Sequence, residues 1–147
     1  MNYMHETKQI THRDMKLENI LCMPNGNDPK DFTVKLTDFG FAAHFEEGED
    51  FSLTLGSPMY MSPEIVLRED YDRRCDVWAV GVIVYILVSG YPPFYAEKRG
   101  DLDEAIVNQE CDFDDEIFEK VSPDCIDFIK KCLEKRQEDR PFVSELL

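Results

Sequence analysis

The sequence predicts a mainly α chain of the α+β class, with one or two small β-ladders near its N-terminus. Three observations carry that expectation. Residues Asp76 to Ser89 are apolar nearly all round, opened by an Asp and stopped by Gly90 and Pro92-Pro93, so they read as a buried core helix. Ser122-Pro123-Asp124 is a helix-start signal, with Ser as N-cap and Pro at the first helical position. The short β-prone runs Ile20-Leu21-Cys22 and Val34-Lys35-Leu36 flank Pro24-Asn25-Gly26-Asn27-Asp28-Pro29, a turn-rich stretch suited to a hairpin-like connection.

The remaining elements follow in order. Met1 to Thr7 reads as a frayed end, with no cap before it and one turn's worth of pattern. Glu46 to Ser57 holds four acids in five residues and then small polar residues, which suits a loop. Asp101 to Asn108 is a short acidic helix candidate. The helix opened by Ser122 places Cys125, Ile129 and Cys132, and Ile126 and Leu133, on one face and should run to about Lys135. A last helix is expected to start at Pro141. There are no repeats, and 147 residues is one domain's worth of chain.

Composition narrows the function classes. With 43% hydrophobic and 12% aromatic residues, the chain can bury a core. Its net charge of -15, from 31 acidic and 16 basic side chains, argues against nucleic acid as a partner, because phosphate backbones select Lys/Arg-rich surfaces. It suits a basic partner or substrate, and equally a solvated, solubility-promoting face. The five cysteines Cys22, Cys75, Cys111, Cys125 and Cys132 show no metal-ligand spacing, and free thiols in a reducing, cytoplasmic compartment are the simplest account. No signal-peptide pattern opens the sequence, and the longest apolar run, Val77 to Val88, is too short to span a bilayer, so no membrane association is expected.

The chemistry is concentrated near the N-terminus. His12-Arg13-Asp14-Met15-Lys16-Leu17-Glu18-Asn19 sets charged and amide groups at fixed offsets, and Asp38-Phe39-Gly40 follows directly after the Val34 to Leu36 strand. A loop Asp, a Lys two residues on and an Asn three further can converge on a phosphate and a metal. A second Asp at a neighbouring strand end would complete an oxygen-ligand set of the kind Mg²⁺ prefers.

With both motifs in register, the sequence resembles a eukaryotic serine/threonine protein kinase, specifically the C-terminal lobe. Gly56-Ser57-Pro58-Met59-Tyr60-Met61-Ser62-Pro63-Glu64 is similar to the end of a kinase activation segment, with Ser-Pro-Glu for the commoner Ala-Pro-Glu. Asp76 to Val82, Tyr91-Pro92-Pro93-Phe94 and Arg140-Pro141 fall where that family has them, so the resemblance covers essentially the whole chain. The wording of Gly56 to Glu64 and of Val80 to Phe94 is most similar to calcium/calmodulin-dependent and calcium-dependent kinases.

The resemblance implies roles position by position. Asp14 and Lys16 would be catalytic, the first taking or orienting the proton of the substrate hydroxyl and the second steadying the transferring phosphoryl group. Asn19 and Asp38 would hold Mg²⁺ against the phosphates of ATP, with Lys16 beside them. Ser57 would hydrogen-bond Asp14 and Lys16 and border the substrate, Asp76 would tie the catalytic loop to the central helix, and Glu64 and Arg140 would form a buried ion pair. His12 reads as a packed, hydrogen-bonded core residue; His5 and His44 carry no motif and read as surface. Glu18 is either a reader of a basic residue upstream of the acceptor Ser or Thr or a solvated helix-end acid. Lys16, in an H-R-D-x-K setting, is the serine/threonine form.

Arg13 is of the type that receives a phosphorylated activation-segment residue. Three residues before Gly56 stands Leu53, with Ser52 and Thr54 adjacent but out of register, so Glu46, Glu47, Glu49 and Asp50 are candidates to take the phosphate's place. Only Met1 to Thr11 precede the catalytic loop, so the glycine-rich loop, the small-lobe lysine and the adenine hinge are expected to be absent from this chain. Two readings follow: a piece of a serine/threonine kinase, poorly active alone and with calcium-sensor regulation conceivable in the whole protein, or a non-catalytic lobe-only module that binds partners.

Overall fold

The computed structural model describes residues 1–28 and 30–147. Strand β1 (Ile10–Thr11) pairs antiparallel with β4 (Ala43–His44), and β2 (Ile20–Pro24) with β3 (Phe32–Leu36). The expected three-residue strands thus extend to five each, in the register Ile20↔Leu36 through Pro24↔Phe32. Of the anticipated turn, Pro29 lies outside the described residues. The two ladders do one job together. The first opens just before His12, and the second begins just after Asn19 and returns to Leu36, so both loops of interest hang from one end of the paired strands.

Four helices follow: α1 (Pro63–Leu67), α2 (Arg74–Ser89), α3 (Arg99–Asn108) and α4 (Pro123–Cys132). The fold is therefore mixed α and β with helix predominant. Helix α2 runs through the middle and buries Val77, Trp78, Val82, Ile83 and Tyr85. Its largest cluster joins Trp78, Val82 and Tyr85 to Phe94, Ile106, Phe118, Ile129 and Leu133. Another face, Ala79 and Ile83, packs under Met15 with Leu17, Ile20 and Leu36 alongside, so the catalytic-loop segment sits directly on the central helix. Close approach of α2 to α4 depends on Gly81: a Cβ there would lie 2.6 Å from the Cys132 Cβ and 3.0 Å from Leu133.

Four expectations are corrected. Met1 to Thr7 is not frayed: Tyr3–Thr7 forms a π-type turn whose Met4 and His5 are buried. Helix α2 begins two residues before Asp76, because the Asp72 carboxylate accepts the Arg74 N–H at 2.7 Å and opens the helix, which frees Asp76 for another use. Helix α4 is capped by Ser122 as expected, its Oγ accepting from the Cys125 N–H at 3.3 Å, but it stops at Cys132 rather than near Lys135. The carbonyls of Glu134 and Lys135 are instead taken by the Arg140 guanidinium, at 3.0 and 3.5 Å. The helix expected from Pro141 is a single 3-10 turn, Val143–Glu145, closed by the Phe142 N–H donating to the Glu145 carboxylate at 2.7 Å. The acidic loop and helix α3 fall close to where the sequence placed them, the loop interrupted only by a bridge between Phe51 and Tyr71.

Candidate active site

Asp14 is buried, and each of its carboxylate oxygens is held separately. Oδ1 accepts from the Ser57 N–H at 2.9 Å and from the Ser57 hydroxyl at 3.0 Å. Oδ2 accepts from the Lys16 ammonium at 2.7 Å and, more weakly, from the Asn19 amide at 3.4 Å. The Ser57 hydroxyl in turn accepts from Lys16 at 3.0 Å, closing a three-residue ring. Burial alone raises the pKa of Asp14, but the hydrogen bonds from Lys16 and Ser57 outweigh it and hold the carboxyl below its usual range. The same bond to Asp14 raises the pKa of Lys16. The result is a fixed anion beside a fixed cation, able to orient a hydroxyl and take its proton.

Gly56 makes that clamp reachable. Its φ is +105°, and a Cβ there would stand 2.9 Å from the Arg13 carbonyl, so any side chain would push Ser57 away from Asp14. Arg13 and Asp38 also adopt left-handed backbone, φ 64° and 61°, which costs a non-glycine residue about 1–3 kcal/mol.

The second loop is tied to the first. Thr37 N–H donates to the Asn19 carbonyl at 3.0 Å, which sets Asn19 one residue from Asp38 across the strand end. Asn19 is buried and donates its amide to the Asp14 carbonyl at 2.9 Å, an orientation that leaves its amide oxygen uncommitted among the described residues. Asp38 is exposed, and among the described residues its carboxylate accepts only the Gly40 N–H, at 3.3 Å. His12, fully buried, links the two loops: its Nδ1 accepts the Asp14 N–H at 3.3 Å while Nε2 donates to the Thr37 carbonyl at 3.1 Å, with the Phe39 ring 5.0 Å away. An amide and a carboxylate oxygen are hard donors that fit a magnesium-bound phosphate. Among the described residues no group of three or more His, Cys, Asp or Glu could hold a metal unaided, so phosphate oxygens would have to complete the set.

Asp76 holds the loop from below. Its carboxylate accepts the His12 N–H at 2.7 Å, the Arg13 N–H at 2.9 Å and His5 Nε2 at 2.9 Å. His5 therefore corrects the expectation of a surface residue: it is 1% exposed and is a third donor to Asp76. Sequence reasoning passed over it because the segment is polar and carries no motif, and the only available signal was a histidine one heptad ahead of His12. His44 is exposed, as expected.

Arg13 departs from expectation as well. Its Nε donates to the Phe41 carbonyl at 2.6 Å and its guanidinium lies 4.8 Å from the centre of the Phe51 ring. Glu46, Glu47, Glu49 and Asp50 are exposed, and Arg13 meets a ring where the sequence suggested an acid. Glu18 is exposed on the rim; it adds to the raised pKa of Lys16, set first by the bond to Asp14, and to that of Tyr60, set first by burial. Further out, Glu64 and Arg140 form the expected buried pair, which secures the end of the activation-like segment.

Comparison with known proteins agrees with this constellation. A family model for the protein kinase domain matches residues 1–147. A probable myosin light chain kinase of Dictyostelium discoideum is 37% identical over 147 residues, covering 100% of this chain and 37% of that protein. A calcium-dependent protein kinase of Plasmodium falciparum is 38% identical over 145 residues, 99% of this chain and 25% of its own length. One from Solanum tuberosum is 39% identical over 138 residues, 94% of this chain and 25% of that protein. The chain thus spans well under half the length of these relatives. It belongs to the protein kinase domain family and resembles the calcium-dependent and myosin light chain kinases within it.

Proposed function

We propose that this chain carries the phosphoryl-transfer residues of a serine/threonine protein kinase. The observation that carries the reading is the clamp on Asp14: two oxygens, four donors and three residues that the sequence places up to 43 positions apart. Asp14 takes or orients the proton of the acceptor hydroxyl. Lys16 offsets negative charge at the group being transferred. Asn19 and Asp38 would hold Mg²⁺. ATP bound there would supply the phosphoryl group, and the metal would neutralise its phosphate oxygens. Ser57 keeps Asp14 ionised and aimed, so it is a positioning residue.

Glu18 on the exposed rim and the net charge of -15 support a preference for acceptors in a basic context. The stretch carries no glycine-rich phosphate loop, so transfer by residues 1–147 alone is slow. Regulation by a calcium sensor in the whole protein is supported by the names of the relatives. Five unpaired thiols fit a reducing compartment such as the cytoplasm. A panel of Ser, Thr and Tyr peptides in basic and acidic contexts, offered to the full natural protein with ATP and Mg²⁺, tests the reading. Transfer to basic Ser/Thr peptides supports it; transfer confined to tyrosine or to acidic peptides overturns the specificity assigned here.

A further inference from the structure

The Phe51–Tyr71 bridge lies outside the residues just assigned. The two residues exchange backbone hydrogen bonds of 2.6 and 2.9 Å, and their rings stand 5.5 Å apart. Tyr71 is 1% exposed, and its hydroxyl donates to the Leu53 carbonyl at 2.8 Å. Phe51 presents its ring to Arg13, the neighbour of Asp14, at 4.8 Å. Three residues past Leu53 the backbone turns at Gly56 against the Arg13 carbonyl and delivers Ser57 to Asp14. Burial raises the pKa of Tyr71 to about 12, so its hydroxyl stays protonated and donating throughout the neutral range.

The charge of Arg13 is thus met by an aromatic face. A guanidinium over a ring is attracted by the ring's negative face about as strongly as by an exposed carboxylate, and needs no modification. We propose that Phe51 is a positioning residue: its ring, seated between Arg13 and Tyr71, holds segment 51–57 on the catalytic loop and keeps Ser57 on Asp14 without phosphorylation of that segment. The inference rests on the phosphoryl-transfer reading, because what Phe51 positions is the clamp on Asp14.

The test compares Phe51→Leu, Phe51→Tyr and the double variant Ser52→Ala/Thr54→Ala in the full natural protein. The readouts are kcat and KM for a basic Ser peptide, the thermal midpoint and the rate of protease cleavage within residues 46–57. Phe51→Leu, which keeps apolar bulk without the ring, lowers kcat by about 3- to 30-fold, speeds cleavage and leaves KM for ATP and the midpoint unchanged. Phe51→Tyr stays within about twofold of wild type, because it retains the π face. Removing Ser52 and Thr54 changes nothing. Wild-type behaviour in Phe51→Leu, loss in Phe51→Tyr equal to that in Phe51→Leu, or loss in the Ser52/Thr54 variant overturns the proposal. If the wild-type protein transfers no phosphate, the kinase reading has failed, and the cleavage rates alone decide whether Phe51 holds the segment.

Discussion

Arg140 grips Glu64 through two parallel hydrogen bonds of 2.7 and 3.0 Å, across 76 residues of sequence, with both side chains almost sealed from solvent. The guanidinium also donates to the carbonyls of Arg74, Glu134 and Lys135 and lies 5.1 Å from the centre of the Trp78 ring. A planar fork with five donors fits that pocket, and an ammonium does not. Either Glu64→Ala or Arg140→Ala strands a buried charge and should cost about 3–5 kcal/mol, read as a collapse in thermal midpoint and soluble yield. The double variant Glu64→Gln/Arg140→Met should cost less than the sum of its parts in a double-mutant cycle.

Asp76 makes the next prediction, because it serves three donors with one carboxylate. In Asp76→Asn one end becomes a donor facing a donor, so the His12–Arg13 backbone loses its seat. Transfer should fall about 10- to 100-fold, by analogy with removing a charged hydrogen-bond acceptor. His5→Phe removes one donor and keeps the ring, and should cost only about 1–3 kcal/mol of stability. Equal losses in the two variants would contradict the ranking.

The hydrogen bonds from Lys16 and Ser57 hold the carboxyl of Asp14 below the usual carboxylate range despite its burial, which fixes a pH sign. Its stabilising contribution is present in full above the unfolded carboxyl's pKa and is lost as pH falls through the lower folded value. Ionised Asp14 therefore persists through the whole neutral range. Ser57→Ala deletes the hydroxyl donor and should move the acid limb of kcat/KM upward relative to wild type. An unmoved limb would show that Ser57 does not hold Asp14 in its charged form.

Thiol chemistry gives an independent check on packing. Cys132 is fully buried, with its pKa pushed up to about 12, and burial likewise pushes the Cys75 thiol well above its usual range. Since the thiolate is the nucleophile, neither should react with iodoacetamide until the chain unfolds. Cys22, exposed on β2, should react first, and Cys22→Ser should remove that fast phase. Early labelling of Cys132 by peptide mass mapping would contradict the α2–α4 packing.

How much of this was legible in the sequence depends on how local the cause is. Asp14, Lys16, Asn19 and Asp38 stand at fixed offsets in two short loops; Lys16 and Asn19 bond Asp14, and the bond from Thr37 to Asn19 ties the second loop to the first. The Ser122 cap and the Gly90 stop are likewise local signals, and both are found. What escaped was set by long-range partners. Past the early end of helix α4, Arg140, coming back in space, satisfies the Glu134 and Lys135 carbonyls of the irregular segment. His5 is buried because Asp76, 71 residues away, offers an acceptor. Arg13 turned to Phe51 because Tyr71 holds that ring in place, and charge counting along the acidic loop could not show it.

The central claim, that Asp14 is the proton-handling group of a serine/threonine phosphoryl transfer, is tested most directly by one comparison. Labelled phosphate transfer from ATP to a basic Ser peptide is measured with Mg²⁺ for the full natural protein and its Asp14→Asn variant. The account predicts that kcat falls by about 10²- to 10⁴-fold while KM for ATP and the thermal midpoint stay close to wild type. Transfer by Asp14→Asn within a few-fold of wild type would contradict it.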